Sequence, residues 1–206
     1  MACIELITTP RAGDSGEQRL AAKNITGENV SMGPLERHLL PTYQRWLNDF
    51  DLLKLIDRRF RPLSADWITT WYERNTRGDQ DTMIFTIWER STETPIGNVA
   101  LQDVDYRNRT AELGIFIGES AARGKGYGTE TTGLILDFAF RVLGLHNVML
   151  RVYDYNGSAR RCYERAGFRE FGRRRQSQFM DARFWTVIYM ECLASEFLNQ
   201  EPARDC

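Results

Sequence analysis

The chain contains the stretch Ala121-Ala122-Arg123-Gly124-Lys125-Gly126-Tyr127-Gly128-Thr129 between an apolar segment typical of a buried strand, residues 111–118, and an apolar segment with helical spacing, residues 129–142. Glycines at three alternate positions remove Cβ atoms and permit positive φ angles, so successive backbone N–H groups can point into one concavity. The start of the helix adds unpaired N–H groups, and Arg123 and Lys125 add positive charge. The order strand, glycine-rich loop, helix therefore predicts a binding site for a pyrophosphate group.

The same glycines are compatible with a plain turn that only joins a strand to a helix. The two cations and a second motif further along the chain favour the binding site over that alternative. The glycine spacing also differs from the G-x-G-x-x-G of dinucleotide-binding domains and from the G-x-x-x-x-G-K-[ST] of Walker loops. Rossmann and P-loop folds are therefore disfavoured.

Two motifs of this chain resemble those of the GNAT superfamily of acetyl-CoA-dependent N-acetyltransferases. The stretch 123–128 is similar to the superfamily's R/Q-x-x-G-x-G/A pyrophosphate loop. Its RimJ/RimL-like branch, which modifies protein N-termini, typically shows an A-E-L-G strand before the loop, present here as Ala111-Glu112-Leu113-Gly114. The branch also shows an N-x-x-S/A-x-x-x-Y/C-E-K/R-x-G-F segment, present here as Asn156-Gly157-Ser158-Ala159-Arg160-Arg161-Cys162-Tyr163-Glu164-Arg165-Ala166-Gly167-Phe168. The likeness covers residues 29–193 and implies acetyl-CoA as the acetyl donor.

The resemblance implies an α+β, GNAT-like fold, which is a strongly twisted mixed sheet, mostly antiparallel, of about seven strands flanked by about four helices. The residue pattern places strands at 30–35, 82–90, 96–105, 110–118, 147–153, 168–176 and 184–193, and helices at 36–50, 64–78, 129–142 and 158–165. The sequence divides into a mobile leader at 1–28, an acetyltransferase (GNAT-like) domain at 29–195 and a frayed tail at 196–206.

The resemblance assigns the catalytic roles to Tyr163 and Glu112. Tyr163 would donate a proton to the departing thiolate, which suits a phenol of pKa about 10 and a thiol of pKa about 8.5. The alternative for Tyr163 is an amphipathic tyrosine packed in the core. Glu112 would assist deprotonation of the amine, directly or through water, and its alternative is a carboxylate paired only with Arg107 or Arg109. No covalent acyl-enzyme is expected, because no histidine lies in either motif to activate a cysteine.

A larger set of residues is predicted to bind the donor. A strand N–H near Phe116 would hold the tetrahedral intermediate, Asn156 would hydrogen-bond the pantetheine arm, and Ser158 or a neighbouring arginine would meet the phosphate end. Asn156 and Ser158 have a second interpretation as helix caps, because they lie where a strand gives way to a helix. The predicted donor-binding residues are Phe116, Ile117, Arg123, Gly124, Lys125, Gly126, Tyr127, Gly128, Thr129, Asn156, Ser158 and Arg161.

The composition limits the other possible functions. With 206 residues, 42% of them hydrophobic, and a formal net charge of −1, the chain suits one globular domain and gives no general reason to expect nucleic acid or an anionic membrane as partner. Four cysteines and two histidines show no metal-binding spacing, so no metal is expected. Because the sequence has neither a signal-type start nor a run of about 18 apolar residues, a cytoplasmic location is expected.

The acceptor is predicted to be a primary amine, first of all a protein or peptide N-terminus. An α-amine has a pKa of about 8, against about 10.4 for an alkyl amine, so its deprotonation needs less assistance. Four arginines of the last hairpin would also repel a polyamine if they faced the cleft, namely Arg173, Arg174, Arg175 and Arg183. A small amine, either a polyamine or an aminoglycoside-type antibiotic, is the second candidate, and a non-catalytic CoA-binding sensor is the third. Dimers are common among similar proteins, so a homodimer is a candidate assembly.

Overall fold

The computed structural model describes residues 22–56, 60–78 and 81–200, which form one mixed sheet flanked by helices. The eight strands of these residues are β1 (Ile25–Thr26), β2 (Val30–Pro34), β3 (Met83–Glu89), β4 (Thr94–Asp105), β5 (Thr110–Ile117), β6 (Asn147–Tyr153), β7 (Arg169–Met180) and β8 (Arg183–Leu193). Their six α-helices are α1 (Leu40–Leu47), α2 (Phe50–Leu53), α3 (Ala65–Thr76), α4 (Tyr127–Asp137), α5 (Gly157–Arg165) and α6 (Ala194–Gln200). The strand order is β1-β2-β3-β4-β5-β6-β8-β7.

The predicted α+β class with a mostly antiparallel mixed sheet is confirmed, but the described residues hold more elements than predicted. They contain eight strands and six α-helices, whereas the prediction was about seven strands and about four helices. The additional strand is β1, which pairs antiparallel with β2 and lies inside the predicted leader. Its two residues are too few for a periodic pattern to reveal. Residues 1–21 of that leader lie outside the described residues.

The helix predicted at residues 36–50 is divided into two. The side chain of Asp49 accepts hydrogen bonds from the backbone N–H groups of Asp51 and Leu52. Asp49 therefore caps a new helix, α2, instead of continuing α1, because its carboxylate takes the N–H groups that a helix start leaves unpaired.

The first residues of the predicted frayed tail form α6. Its Phe197 ring packs against Phe140 with the ring centroids 5.5 Å apart, and Glu196 forms an ion pair with Arg169 at 2.7 Å. These contacts hold the helix, which ends at residue 200, against the rest of the domain. The prediction of fraying for residues 201–206 lies outside the described residues.

The only parallel neighbours among the described strands, β5 and β6, stay paired over a short distance. Residues 110–112 pair with residues 147–149. Beyond them β5 continues to Ile117 while paired only with β4, and β6 continues to Tyr153 while paired only with β8. The two strands therefore diverge, and a gap opens in the sheet at their C-terminal ends.

The two faces of the sheet carry separate apolar clusters. One cluster packs beneath α4 and α5 and includes Ile135, and the other packs beneath α1 and α3 and includes Trp46. Ile87 and Trp88, which are successive residues of β3, belong to different clusters because neighbouring side chains of a strand point to opposite faces. Helices therefore cover both faces at the gap between β5 and β6.

The last hairpin is longer than predicted. β7 runs to Met180 and not to residue 176, and a two-residue turn of Asp181 and Ala182 joins it to β8. Both turn residues have positive φ, 51° and 58°. The polar residues after 174 hid this strand from the apolar pattern. β8 lies between β6 and β7, so β7 is the edge of the sheet.

Candidate active site

The glycine-rich loop has the backbone conformation that the sequence predicts. Gly124 and Gly126 have φ angles of +76° and +87°, and a Cβ atom added at either would meet nothing within 4 Å. α4 begins at Tyr127, with Gly126 as its N-cap and no side-chain hydrogen bond to its first turn. The unpaired N–H groups at the start of α4 are therefore open to a ligand, and the helix dipole favours an anionic one.

A cleft extends from this loop along β5 to α5, and we call it the loop cleft. It is lined by every predicted donor-binding residue except Lys125, together with Cys162, Tyr163 and apolar residues of the α2 region. The sequence spacing therefore predicted residues that the fold brings together from three separate segments, β5, the loop with α4, and α5.

Lys125 is the exception, because its side chain is held on the other side of the loop. Its ammonium lies 3.6 Å from the carboxylate of Glu89 and 5.8 Å from the ring centroid of Tyr127. The Tyr127 hydroxyl donates to the same carboxylate, and this hydrogen bond is the main cause that lowers the pKa of Glu89. The guanidinium of Arg123 donates to the carbonyl oxygens of Ile117, at 3.0 Å, and of the next residue, at 3.2 Å. The two predicted phosphate cations thus both have protein partners.

The start of α5 is organised by Asn156. Its Oδ1 accepts hydrogen bonds from the N–H of Ala159 at 3.2 Å and from the hydroxyl of Ser158 at 3.1 Å, and its Nδ2 donates to the carbonyl of Leu55 at 3.3 Å. Asn156 therefore acts as a helix cap, which is the second of the two interpretations left open by the sequence. Arg161, one turn further on α5, lines the loop cleft.

A second cavity lies in the sheet beside the gap between β5 and β6, and we call it the sheet cavity. Its polar lining residues include Asn98 and Gln102 of β4, Glu112 of β5 and Arg151 of β6, and its apolar ones include Trp71 of α3. The sheet cavity and the loop cleft share the lining residues Leu55, Ile56, Ile115, Phe116 and Tyr163. The two spaces therefore meet where these side chains lie.

Tyr163 stands at this meeting point on α5. Its side chain is 9% exposed, its ring packs edge-on to Phe168, and burial raises the pKa of its hydroxyl. No described residue hydrogen-bonds that hydroxyl. The phenol therefore stays protonated at neutral pH and has its donor proton available.

The acetyltransferase (GNAT) domain family matches residues 30–169, which is more than half of the chain. The chain belongs to this family. The GNAT-like fold predicted from the sequence is thereby confirmed, and the class of enzyme is an acetyltransferase.

Relatives of this GNAT domain differ in their acceptors. Spermidine N(1)-acetyltransferase of Vibrio cholerae serotype O1 is 34% identical over 112 residues, which are 54% of this chain and 64% of that protein. A putative ribosomal N-acetyltransferase of Bacillus subtilis is 30% identical over 105 residues, 51% of this chain and 57% of that protein. The chain thus spans less than two thirds of the length of either curated relative. Membership of the RimJ/RimL-like branch stays a prediction.

A solved structure is similar over a larger part of the chain. The spermidine N-acetyltransferase of Vibrio cholerae in complex with CoA and spermine superposes with a TM-score of 0.77 at 27% identity. The superposition covers 83% of this chain and 99% of that one. The GNAT architecture described above is therefore shared over most of the chain.

In this GNAT acetyltransferase, Glu112 faces the sheet cavity. Its Oε1 accepts a hydrogen bond from Nε of Arg151 at 2.7 Å, an arginine other than the two that the alternative interpretation of Glu112 named, Arg107 and Arg109. The parallel pairing of Glu112 with Met149 brings Arg151, two residues further on the same face of β6, next to the carboxylate. Sequence reasoning missed Arg151, although a single charge inside the apolar strand 147–153 was a signal for it.

The pairing of β4 with β5 decides which backbone groups of the GNAT site are open. The N–H of Gly118 donates a hydrogen bond to the carbonyl oxygen of Ile96 in β4 at 2.8 Å. Phe116 lies two residues earlier and pairs with Asn98 of β4, so its N–H points to the same side. Ile115 and Ile117 therefore direct their N–H groups to the opposite side, where pairing with β6 has ended. The backbone N–H groups that stay open near Phe116 are thus those of Ile115 and Ile117, because the N–H of Phe116 itself points to β4.

Among the residues that the structure describes, no helix is long and apolar enough to cross a membrane. They also hold no group of three or more histidine, cysteine, aspartate or glutamate side chains placed to bind a metal ion.

Proposed function

We propose that the protein transfers the acetyl group of acetyl-CoA to the primary amine of a small molecule, with a polyamine as the first candidate. The observation that carries this proposal is that the loop cleft and the sheet cavity meet at Tyr163 and Phe116. One space suits the donor and the other the acceptor, so direct attack of the amine needs no covalent acyl-enzyme.

The residues of the loop cleft fit the donor. The open space beside Gly124 and Gly126 and the uncapped first turn of α4 suit the diphosphate of acetyl-CoA. The open N–H groups of Ile115 and Ile117 suit its amide-containing arm and its thioester oxygen. Acetyl-CoA supplies the activated acetyl group, and the likeness to a protein solved with CoA supports this choice of donor.

Two side chains are proposed to handle protons. Tyr163 keeps its proton at neutral pH and lies where both spaces meet, so it is placed to give that proton to the leaving thiolate. Glu112 lines the sheet cavity and is proposed to assist deprotonation of the amine, directly or through water. Arg151 holds the Glu112 carboxylate by one oxygen, which leaves the second oxygen for the acceptor.

The two acceptor candidates rest on different observations. Similarity to spermidine N-acetyltransferases supports a polyamine. A peptide N-terminus is the second candidate, and the charge of the sheet cavity favours it. The charged residues among the described lining are Glu112 and Arg151, which pair with each other, so the lining offers a polycation no excess of negative charge.

The test is a measurement of CoA release from acetyl-CoA with a panel of amines between pH 6 and 9. The panel contains spermidine, a short peptide with N-terminal alanine, an aminoglycoside and a reaction without amine, and Tyr163→Phe serves as the control enzyme. A higher kcat/KM for spermidine supports the first candidate, and a higher value for the peptide supports the second. Acetyl-CoA binding without release in the presence of any amine would contradict the enzyme and favour the sensor.

A further inference from the structure

We infer that Glu119 and Glu89, two carboxylates outside both the loop cleft and the sheet cavity, are positioning residues that hold the two ends of the acetyl-CoA loop. The inference rests on the proposed function, because it takes residues 120–126 as the segment that binds the diphosphate. Glu119 directly precedes this segment, and Glu89 contacts Lys125 and Tyr127 at its end.

Glu119 fastens the start of the loop to α1. Its carboxylate accepts hydrogen bonds from Nη1 and Nη2 of Arg45, at 3.3 Å and 2.5 Å, and from Nε1 of Trp46 at 2.9 Å. The bond from Arg45 is the main cause that lowers the pKa of Glu119, so the carboxylate is ionised at neutral pH. Three donors from two successive residues of one helix fix both oxygens of the carboxylate.

Trp46 extends this anchor to the point where the two spaces meet. Its buried ring lies against Gly118, where an added Cβ would come within 2.5 Å of the indole. The ring also contacts Phe116 edge-on, with the centroids 6.0 Å apart, and Phe116 lines both the loop cleft and the sheet cavity. Because α1 contributes Leu47 to the sheet cavity, Glu119 joins the donor loop to the helix that walls the acceptor space.

Glu89 fastens the other end of the loop to β3. It accepts hydrogen bonds from the hydroxyl groups of Tyr127 and Thr92, the latter at 2.7 Å, and lies 3.6 Å from the ammonium of Lys125. The side chain of Glu89 is 14% exposed and that of Lys125 is 51% exposed, so the carboxylate is largely covered while the ammonium stays in contact with solvent. Tyr127 is the first residue of α4, and the direction of the open N–H groups in that first turn therefore depends on Glu89.

The segment between the two anchors is held in its first half by buried Ala122 and by the hydrogen bonds of Arg123 to the carbonyl oxygens of Ile117 and Gly118, and it has less to fix the shape of its second half, residues 124–126. Its two glycines have positive φ and open space where a Cβ would stand. Release of either end should therefore misplace the N–H groups that hold the diphosphate. Tyr163 and Glu112 contact neither anchor, so the chemical step should be spared.

The test compares Glu119→Gln and Glu89→Gln with the wild type, using calorimetric titration with acetyl-CoA and steady-state kinetics. Each change should raise the Kd and the KM for acetyl-CoA about tenfold and leave kcat within about twofold. Glu73→Gln is the matched control, because Glu73 also pairs with an arginine, Arg37, at 2.9 Å, and lines neither space, so its Kd should stay at the wild-type value.

An unchanged Kd in both variants, or a fall in kcat at an unchanged KM, would overturn the inference. A wild-type protein that binds no acetyl-CoA would instead contradict the proposed function, so the two failures are distinguishable. If Glu119→Gln does not fold, Arg45→Met takes its place, because it removes the two Arg45 donors of the same carboxylate and should raise the Kd in the same way. If both variants fold, the double variant should bind acetyl-CoA no more weakly than either single variant, and additive losses would count against the Glu119 anchor.

Discussion

Tyr163 lies where the loop cleft and the sheet cavity meet, and the hydroxyl is the one polar group of its side chain. Tyr163→Phe removes this proton donor and almost no volume, so kcat should fall by about 10²-fold while the KM for acetyl-CoA stays nearly constant. Steady-state kinetics with spermidine and with a peptide check this result. Tyr106→Phe, at an exposed position, should behave as the wild type. An unchanged kcat in Tyr163→Phe would mean that water protonates the thiolate.

The burial of Tyr163 also predicts a dependence of stability on pH. Burial raises its pKa in the folded protein above the value of about 10 for an unfolded chain, so folding favours the protonated form. This contribution to stability is complete below pH 10 and is lost as the pH rises towards the folded-state pKa. Urea unfolding at pH 9 and pH 11 should show a smaller loss of unfolding free energy for Tyr163→Phe than for the wild type. Equal losses would show that the hydroxyl is not shielded.

Single residues of the site were predictable where local spacing decides their place. Tyr163, Asn156 and the loop glycines lie within continuous motifs, and the fold brings them to one cleft. The direction of Lys125 and the partner of Glu112 were not predictable, because each depends on a side chain from a distant strand. The conformation within a segment can thus be predicted from the sequence. Which of several arginines pairs with Glu112 is decided by the pairing of distant strands.

The glycine-rich loop is the element proposed to bind the diphosphate of the donor. Gly126→Asp places a negative charge beside the proposed diphosphate site, and the affinity for acetyl-CoA should fall on the order of 10²-fold. Gly126→Asn has nearly the same shape, tolerates positive φ and carries no charge, so its affinity should fall much less. Gly78→Asp, at φ +74° and in open space, controls for backbone strain away from the site. Calorimetric titration of the folded variants with acetyl-CoA measures these affinities. Similar affinities for Gly126→Asp and Gly126→Asn would show that the negative charge is not the cause of the loss.

The turn between β7 and β8 carries strain that a single substitution should relieve. Ala182 has a φ of +58°, a conformation that costs a residue with a Cβ about 1–2 kcal/mol and costs glycine almost nothing. Ala182→Gly should raise the free energy of unfolding by roughly 0.5–1 kcal/mol, after allowance for the greater freedom of glycine in the unfolded chain. Urea denaturation measures this change. Ala65→Gly, in the first turn of α3, should lower stability, and a loss at both positions would contradict the turn strain.

The type of most helices and strands was predictable from the sequence, but their first and last residues were less so. The sequence predicts the helix after the loop to begin near Thr129, whereas it begins at Tyr127 because Gly126 in the left-handed region serves as its N-cap. β1, α2 and α6 were missed because each is shorter than the window that a periodic pattern needs. The divergence of β5 from β6 was also hidden, since it depends on which residues pair between distant strands.

For the molecule as a whole, the sequence predicts the family and the donor site better than the acceptor. The glycine loop and the α5 motif lie in continuous segments, but the sheet cavity is assembled from many separate elements, among them α3, β4, β5 and β6. Its charge balance comes from Glu112 and Arg151, which distant segments bring together and no local pattern contains. The homodimer and the cytoplasmic location expected from the sequence stay predictions.

The divergence of β5 from β6 has a further consequence for the motions of the protein. The two parts of the sheet are joined at this point by three residue pairs, 110–112 with 147–149. Past them, the N–H groups of Ile115 and Ile117 have no strand partner, whereas those of Gly114 and Phe116 face β4. Amide hydrogen exchange followed by NMR should therefore be fast at 115 and 117 and slow at 114 and 116. Acetyl-CoA should slow exchange selectively at the two odd-numbered positions, so that the bound donor protects this edge of β5 as a neighbouring strand would.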